Sequence, residues 1–191
     1  MIRQINIVFF NNAVICVNLL TLFALLAIAI WFDIKSRRIP NWVVLTGLIA
    51  SFCIAVIFDG TGLTAWGLGL VTGLTVFFPL YLFRAMGAGD VKLMAMIGAF
   101  VGPLSAIGVA LTSLVAGGLL AIAVAIFTGA FTLMMNNVKF MLTGALMKVI
   151  LSGAGVSEDP VSAGSVPYAV AISAGTITYL LLVHLGHGLK I

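Results

Sequence analysis

The sequence predicts an all-α integral membrane protein, built as a bundle of about six transmembrane helices. Hydrophobic residues make up 63% of the 191 residues, charged residues make up only 7%, and the mean hydropathy is +1.30. Soluble domains usually carry roughly 25% charged residues, so this composition excludes an ordinary soluble protein. The nine basic residues are divided among short loops and form no continuous stripe, so no nucleic-acid partner is expected.

Six apolar stretches, each close to the roughly 20 residues that cross a bilayer, follow one another along the chain. The fourth and fifth are the least clearly separated. Gly102 and Pro103 interrupt one run, and only Thr112 and Ser113 stand between the two predicted helices. Five helices, one of them kinked, is the alternative. The predicted spans are residues 13–33, 41–58, 64–83, 91–110, 112–135 and 166–186.

Lysine and arginine indicate the orientation, because short loops rich in these residues stay in the cytoplasm. If the N-terminus lies outside, seven of the nine basic residues lie inside, and only Arg3 and Lys190 lie outside. A five-helix chain would place Lys139 and Lys148 on the outer side. The charge distribution therefore favours six helices.

Residues 1–191 are expected to form a single transmembrane domain without a large soluble part. The longest predicted loop, residues 136–165, faces the cytoplasm, and its first half has the character of an amphipathic helix. Lys139 and Lys148 would lie near lipid head groups there. Residues 27–29 (Ala-Ile-Ala) have the form of a signal-peptide cleavage site, but the apolar run continues past them and the basic cluster follows it. We expect this segment to be retained as the first helix.

Two aspartates stand out among only five acidic residues, because each lies where a long apolar run meets a short basic loop. Asp33 follows the first run, and Asp90 precedes the fourth. In the orientation above, both lie at the cytoplasmic face. Two carboxyl groups about 3 Å apart cannot both ionise easily, so they share a proton. Such a pair can supply both an acid and a base for hydrolysis.

Each aspartate also has a purely structural interpretation. Asp90 follows Gly-Ala-Gly at the predicted start of a helix, where an N-cap carboxylate accepts bonds from free backbone N–H groups. Asp33 lies at a helix end where the macrodipole disfavours an anion, and pairing with Arg37 would offset this by about 0.5 kcal/mol. Both interpretations stay open at this point.

Three motifs in order along the chain resemble those of the type IV prepilin peptidases. The chain is most similar to the short CpaA/TadV-like members linked to Flp (tight-adherence) pili. The resemblance spans residues 25–185 approximately and implies a GxGD aspartyl-protease architecture. The motifs are Asp33-Ile-Lys35-Ser-Arg37-Arg-Ile-Pro40-Asn41 after the first helix, Gly87-Ala-Gly89-Asp90-Val-Lys92-Leu93 before the fourth, and Val166-Pro167-Tyr168-Ala169 at the start of the sixth.

The resemblance implies an aspartic endopeptidase of the bacterial inner membrane. Its substrate would be a Flp-type prepilin, whose short basic leader it removes at the cytoplasmic face. The catalytic roles fall on Asp33 and Asp90, and neither a cofactor nor a metal is implied. Longer members of the family carry an extra domain with paired Cys-x-x-Cys motifs and also methylate the new N-terminus. This chain has only two cysteines and no such motif, so we expect cleavage without methylation.

Six further residues are candidates for substrate binding or for support of the two aspartate motifs. Gly87 and Gly89 would let a substrate backbone approach Asp90 and would permit backbone angles closed to other residues, or would simply form a flexible turn. A proline would end the helix that carries Asp33. The lysines would anchor their loops in the cytoplasm or influence the aspartates. The six candidates are Gly87, Gly89, Lys35, Lys92, Pro40 and Asn41.

The remaining acids predicted on the cytoplasmic side are Glu158 and Asp159, which would either receive the basic leader or be plain solvated charges. Two other functions stay open. A presenilin-like or signal-peptide-peptidase-like protease would carry Tyr where this chain has Phe32, and Pro-Ala-Leu where it has Val-Pro-Tyr-Ala. A transporter or an assembly scaffold would use the two aspartates to bind protons or to form ion pairs.

Two Gly-x-x-x-Gly steps predict close packing between helices inside the monomer. The first is Gly69 with Gly73, and the second is Gly98 with Gly102.

Overall fold

The protein is an all-α integral membrane protein. The computed structural model describes residues 2–58, 62–82, 86–129, 132, 135, 136 and 168–188, and this part of the chain contains no strand. Its helices are α1 (Ile2–Ser36), α2 (Asn41–Phe58), α3 (Gly62–Leu82), α4 (Ala88–Val101), α5 (Pro103–Phe127) and α6 (Tyr168–Gly188).

Four of these helices contain segments that are long and apolar enough to cross a membrane, and α2 is a shorter apolar helix. Many large apolar side chains on these helices are exposed, such as Leu20 and Leu104, as expected of surfaces that face lipid rather than water. The four segments are Val14–Ser36, Gly62–Leu82, Pro103–Phe127 and Tyr168–Leu185.

Two compact units divide the chain. The first contains residues 1–117 and 167–191, and the second contains residues 118–166. In the second unit the description covers the end of α5, a turn at residues 128–129 and a few isolated positions. The predicted amphipathic helix within residues 136–165 lies almost entirely outside the described residues, and so do Glu158 and Asp159.

α4 is the central helix of the first unit. It packs against α1, α2, α3 and α6. Every residue from Asp90 to Phe100 is buried except Lys92. With 14 residues, α4 is only about 21 Å long, shorter than a hydrocarbon core. Because neighbouring helices cover α4 on all sides, it does not have to be long enough to cross the bilayer by itself.

Glycine allows α3 and α4 to approach each other closely, which confirms the predicted packing inside the monomer. A Cβ atom placed on Gly69 would collide with the carbonyl oxygen of Gly98, and one placed on Gly98 would collide with the carbonyl oxygen of Gly69. At Gly73 the obstacle is the carbonyl oxygen of Met94. All three obstacles are backbone atoms, so neither helix can yield by turning a side chain.

The predicted division between the fourth and fifth helices at Thr112 was wrong. α4 ends at Val101 and α5 begins at Pro103, with one residue between them. Gly102 has a φ of 81°, in the left-handed region, and donates its N–H to the Gly98 carbonyl at 2.9 Å. Pro103 needs no N–H at the first position of a helix. The Gly-Pro pair therefore ends α4 and begins α5.

Thr112 and Ser113 do not separate two helices, because carbonyl groups satisfy both hydroxyls inside the bundle. The Thr112 hydroxyl donates to Gly108 on its own helix at 3.0 Å and to Gly175 on α6 at 2.9 Å. The Ser113 hydroxyl donates to the Ile172 carbonyl of α6 at 3.3 Å. These bonds fasten α5 to α6.

α5 and α6 run antiparallel, as their facing residues show. Gly108 lies against Tyr179, and further along α5 Gly117 lies against Tyr168. The start of α6 is therefore level with Gly117, well beyond the end of α5 that adjoins Gly102.

Candidate functional site

One end of the first unit gathers the last turn of α1 and the first turns of α4 and α6. Asp33 lies in the last turn of α1, and Asp90 lies in the first turn of α4. Both side chains are buried, with 6% and 9% of their surface exposed. Buried carboxyl groups are rare unless they are paired or hydrogen-bonded, so this end of the bundle is the candidate active site.

The end of α1 is formed by Arg37 rather than by Pro40. Arg37 has a φ of 51° and donates its N–H to the Asp33 carbonyl at 2.8 Å, the arrangement of a left-handed helix C-cap. The Ser36 hydroxyl adds a bond to the Phe32 carbonyl at 2.8 Å. The helix therefore stops before Pro40 is reached. Pro40 instead precedes α2, and its carbonyl accepts the Val43 N–H at 3.1 Å.

The Asp33 carboxylate accepts a hydrogen bond from the N–H of Ala169 at 2.9 Å. Ala169 is the second residue of α6, where backbone N–H groups have no partner inside the helix. The positive end of the helix dipole favours an anion at this position. Asp33 thus caps a helix 136 residues further along the chain. The Arg37 side chain places a positive charge near the same carboxylate.

Asp90 is not the N-cap of α4, contrary to the structural interpretation of the sequence. The N-cap is Gly87, and Asp90 is the third residue of the helix. The Asp90 carboxylate turns back toward Gly87, so that Oδ2 would lie 3.3 Å from a Cβ placed on that glycine. The Asp90 backbone N–H in turn donates to the Gly87 carbonyl at 3.2 Å.

Burial and the nearby charge of Asp33 together raise the pKa of Asp90 to about 6, although the backbone N–H of Gly87 opposes this shift. The larger cause is burial, which penalises the charged form. The second cause is the negative charge of Asp33, which lies within electrostatic range of Asp90. The pair therefore holds a proton at pH values at which two isolated aspartates would both be ionised.

The two glycines of the second motif differ in their surroundings. Gly87 is exposed, and a Cβ on it would lie 3.3 Å from Oδ2 of Asp90, so any side chain there would crowd the carboxylate. A Cβ on Gly89 would make ordinary contact with Ile39 at 3.4 Å. Gly87 has a φ of −75° and a ψ of 151°, angles open to any residue. The expectation of unusual backbone angles was therefore wrong at this position.

Two of the predicted supporting residues contact each other. Lys92 Nζ donates to Oδ1 of Asn41 at 3.0 Å, which links the fifth residue of α4 to the first residue of α2. Lys35 is exposed in the last turn of α1.

A separate cavity of about 380 Å³ lies at the opposite end of the helices, lined by residues that include Asn18, Ser51, Trp66 and Phe100. Asn18 precedes Asp33 by 15 residues on α1, a distance of about 22 Å along the helix. The cavity therefore forms no part of the aspartate site.

One sequence comparison found a match. A profile described as the type IV leader peptidase family matches residues 20–122, more than half of the chain, and this range contains both Asp33 and Asp90. Searches among curated proteins and among solved structures found no match.

Proposed function

Because the chain belongs to the type IV leader peptidase family, we propose that it is an aspartic endopeptidase that removes the leader of Flp-type prepilins. Cleavage would take place at the cytoplasmic face of the bacterial inner membrane. The observation that carries the proposal is the pair of buried, interacting carboxyl groups of Asp33 and Asp90 at one end of the bundle. Such a pair supplies the acid and the base that peptide hydrolysis needs.

The surroundings of the two carboxyl groups support different roles for them. Asp33 accepts the Ala169 N–H and lies near the positive charge of Arg37, and both favour its charged form, whereas burial raises the pKa of Asp90 to about 6. The shared proton is therefore better placed on Asp90. We assign Asp33 as the base and Asp90 as the acid.

In the mechanism that follows, Asp33 takes a proton from a water molecule as the water oxygen attacks the scissile carbonyl carbon. Asp90 gives its proton to the carbonyl oxygen, which yields a neutral tetrahedral diol. In the second step Asp33 returns its proton to the leaving nitrogen, the C–N bond breaks, and Asp90 recovers a proton from a diol hydroxyl. Both carboxyl groups then have their starting protonation, and the net change is the addition of one water.

The surface around the pair is basic, and it is open at Gly87. Gly87 is exposed beside Asp90 and has no side chain to block the carboxylate. Lys35, Arg38 and Lys92 are exposed at the same end. Their positive charges support a cytoplasmic location for the site.

The direct test incubates the purified protein in lipid with a purified Flp-type prepilin and S-adenosylmethionine, and measures the product by mass spectrometry. We expect one cut that releases the leader, an unmethylated new N-terminus, and no effect of a metal chelator. A precursor that stays intact would overturn the proposal, and a methylated product would overturn cleavage without methylation.

The pH dependence of cleavage provides a second prediction. Because the pKa of Asp90 is about 6 and its protonated form acts as the acid, kcat/KM should fall as pH rises through about 6. The fall should approach tenfold for each further pH unit. The measurement is kcat/KM across this range in vesicles, with Asp33→Asn as the inactive blank. A rate that keeps rising with pH past this value would contradict the assignment of the acid.

A further inference from the structure

The cavity at the end of the bundle opposite to the aspartates lies between four helices. Its walls come from α1, α2 and α3, and its remaining side is formed by the last residues of α4 and by Gly102. Its volume of about 380 Å³ falls within the range of sites that bind small molecules. None of the described residues that line it carries a charge.

The backbone at the end of α4 brings hydrogen-bond acceptors to this cavity. A carbonyl group in a helix normally accepts the N–H of the residue four positions further on. For Ala99, which lines the cavity, that residue is Pro103, which has no N–H. The carbonyl of the next lining residue, Phe100, accepts a bond from another helix, from Nδ2 of Asn18 at 3.2 Å. The end of α4 therefore needs donors from outside its own backbone.

The polar side chains of the lining do not satisfy this need. The indole N–H of Trp66 donates to the Ser51 hydroxyl at 2.9 Å, and that hydroxyl donates to the Leu48 carbonyl at 3.0 Å. Asn18 adds an acceptor, the oxygen of its amide. The last turn of α4 also carries the negative end of the helix dipole, equivalent to about half an elementary charge. The cavity therefore favours an occupant that brings both N–H donors and positive charge.

The position of the cavity indicates where such an occupant comes from. Asn18 lies about 22 Å along α1 from Asp33, and the hydrocarbon core of a bilayer is about 30 Å thick. With Asp33 at the cytoplasmic face, as proposed above, the cavity lies in the outer half of the bilayer. The lining residue Ile15 and the neighbouring Phe52, which contacts the Trp66 ring, are exposed apolar side chains. Lipid chains of the outer leaflet can therefore lie beside the cavity.

We propose that this cavity binds the primary ammonium group of an ethanolamine phospholipid of the outer leaflet. An ammonium group has three N–H donors and a positive charge, which match the Ala99 carbonyl, the Asn18 amide oxygen and the dipole of α4. A choline head group has the same charge but no N–H, and a glycerol head group has hydroxyl donors but no positive charge. Both should bind more weakly, because hydrogen bonds from a charged donor are about twice as strong as neutral ones.

The test is native mass spectrometry of the purified protein with ethanolamine, choline and glycerol phospholipids that have identical acyl chains. We expect the ethanolamine lipid to bind about tenfold more tightly than either of the others, as the loss of one charged hydrogen bond predicts. Equal affinity for the ethanolamine and choline lipids would overturn the inference. Free ethanolamine is the further comparison. If it bound as tightly as the lipid, the lipid would be overturned as the source of the ammonium group.

A pair of variants shows whether the preference belongs to this cavity. Ala65→Leu adds bulk to a lining residue of α3 and should abolish the preference for ethanolamine. Gly67→Leu is the matched control, because it introduces the same side chain on the same helix, outside the lining, where no atom lies within 4 Å of a Cβ. It should keep the preference, and an equal effect of both variants would overturn the site. The comparison of head groups uses the wild type alone, so it decides the inference even if Ala65→Leu does not fold.

Asp59, which directly follows α2 in the sequence, lies outside the described residues and is the nearest acid in sequence to the start of α3. Asp59→Asn tests whether the backbone carbonyls or this carboxylate select the ammonium group. We expect the preference for ethanolamine to be unchanged in Asp59→Asn. Its loss there would overturn the assignment to the end of α4. None of these measurements depends on peptide cleavage, so the proposed peptidase activity and this site can fail independently.

Discussion

Asp33→Asn and Asp90→Asn are each expected to lower the rate of prepilin cleavage by about 10²–10⁴-fold or more, because each removes an ionisable group that transfers a proton in both steps. The measurement is the fraction of a co-expressed Flp-type prepilin that is processed, at matched amounts of each variant in the membrane. Both variants should accumulate the precursor.

Asp33 needs a further comparison, because it also caps α6. The amide oxygen of Asn can still accept the Ala169 N–H, so Asp33→Asn removes the charge and keeps the cap. Asp33→Ala removes both the charge and the cap, and it should in addition lower the free energy of unfolding by about 1 kcal/mol. If Asp33 served only as a cap, Asp33→Asn would cleave almost normally and Asp33→Ala would lose activity through instability.

Replacing Asp90 should change stability in the opposite direction to Asp33→Ala. Its pKa is raised by folding from 3.8 to about 6, so its protonated form favours the fold. This contribution is fully present below pH 3.8 and is lost as pH rises through about 6. Above that pH, Asp90→Asn removes a buried charge and should unfold at the same temperature as the wild type or at a higher one. If Asp90→Asn is stable but inactive, a purely structural role for Asp90 is excluded. Normal cleavage by either asparagine variant would refute the proposed pair of catalytic aspartates.

Hydropathy predicted most of the fold because it is a local property. The start of α2 at Asn41 and the extent of α3 were placed within two residues, since each apolar run ends where polar or loop-forming residues begin. The close packing of α3 against α4 could also be predicted, because glycines spaced by four residues lie on one face of a helix. Hydropathy does not register the backbone break at Gly102 and Pro103, and the polar residues Thr112 and Ser113 form no boundary because their hydroxyls are satisfied inside the bundle.

The arrangement of the candidate site was only partly predictable. The positions of Asp33 and Asp90 at helix ends follow from their flanking sequence. That Asp33 bonds to Ala169 does not, because the contact depends on how α1 and α6 pack, and no spacing encodes it. The signal available was the Pro167-Tyr168 pair, which marks a helix start whose free N–H groups require an acceptor.

The contact between α3 and α4 leads to the other large effect, at Gly98. Gly98→Ala would drive a methyl group against the carbonyl oxygen of Gly69, and because that atom belongs to the backbone of α3, the two helices must move apart. Such overpacking costs about 1–3 kcal/mol. Gly67→Ala on α3 is the matched control, since no atom lies within 4 Å of a Cβ there.

Gly98→Ala should also reduce cleavage, although Gly98 lies two turns of α4 away from Asp90. α4 is buried on all sides, so a displacement at Gly98 is carried along the helix to the carboxyl group. A misplacement of about 1 Å in a catalytic group can cost about 10²-fold in rate. Thermal unfolding and prepilin processing, measured together, should both fall in Gly98→Ala and stay near wild type in Gly67→Ala. If Gly98→Ala behaved like its control, α3 and α4 would not be in backbone contact, and the glycine steps would have no part in holding Asp90 in place.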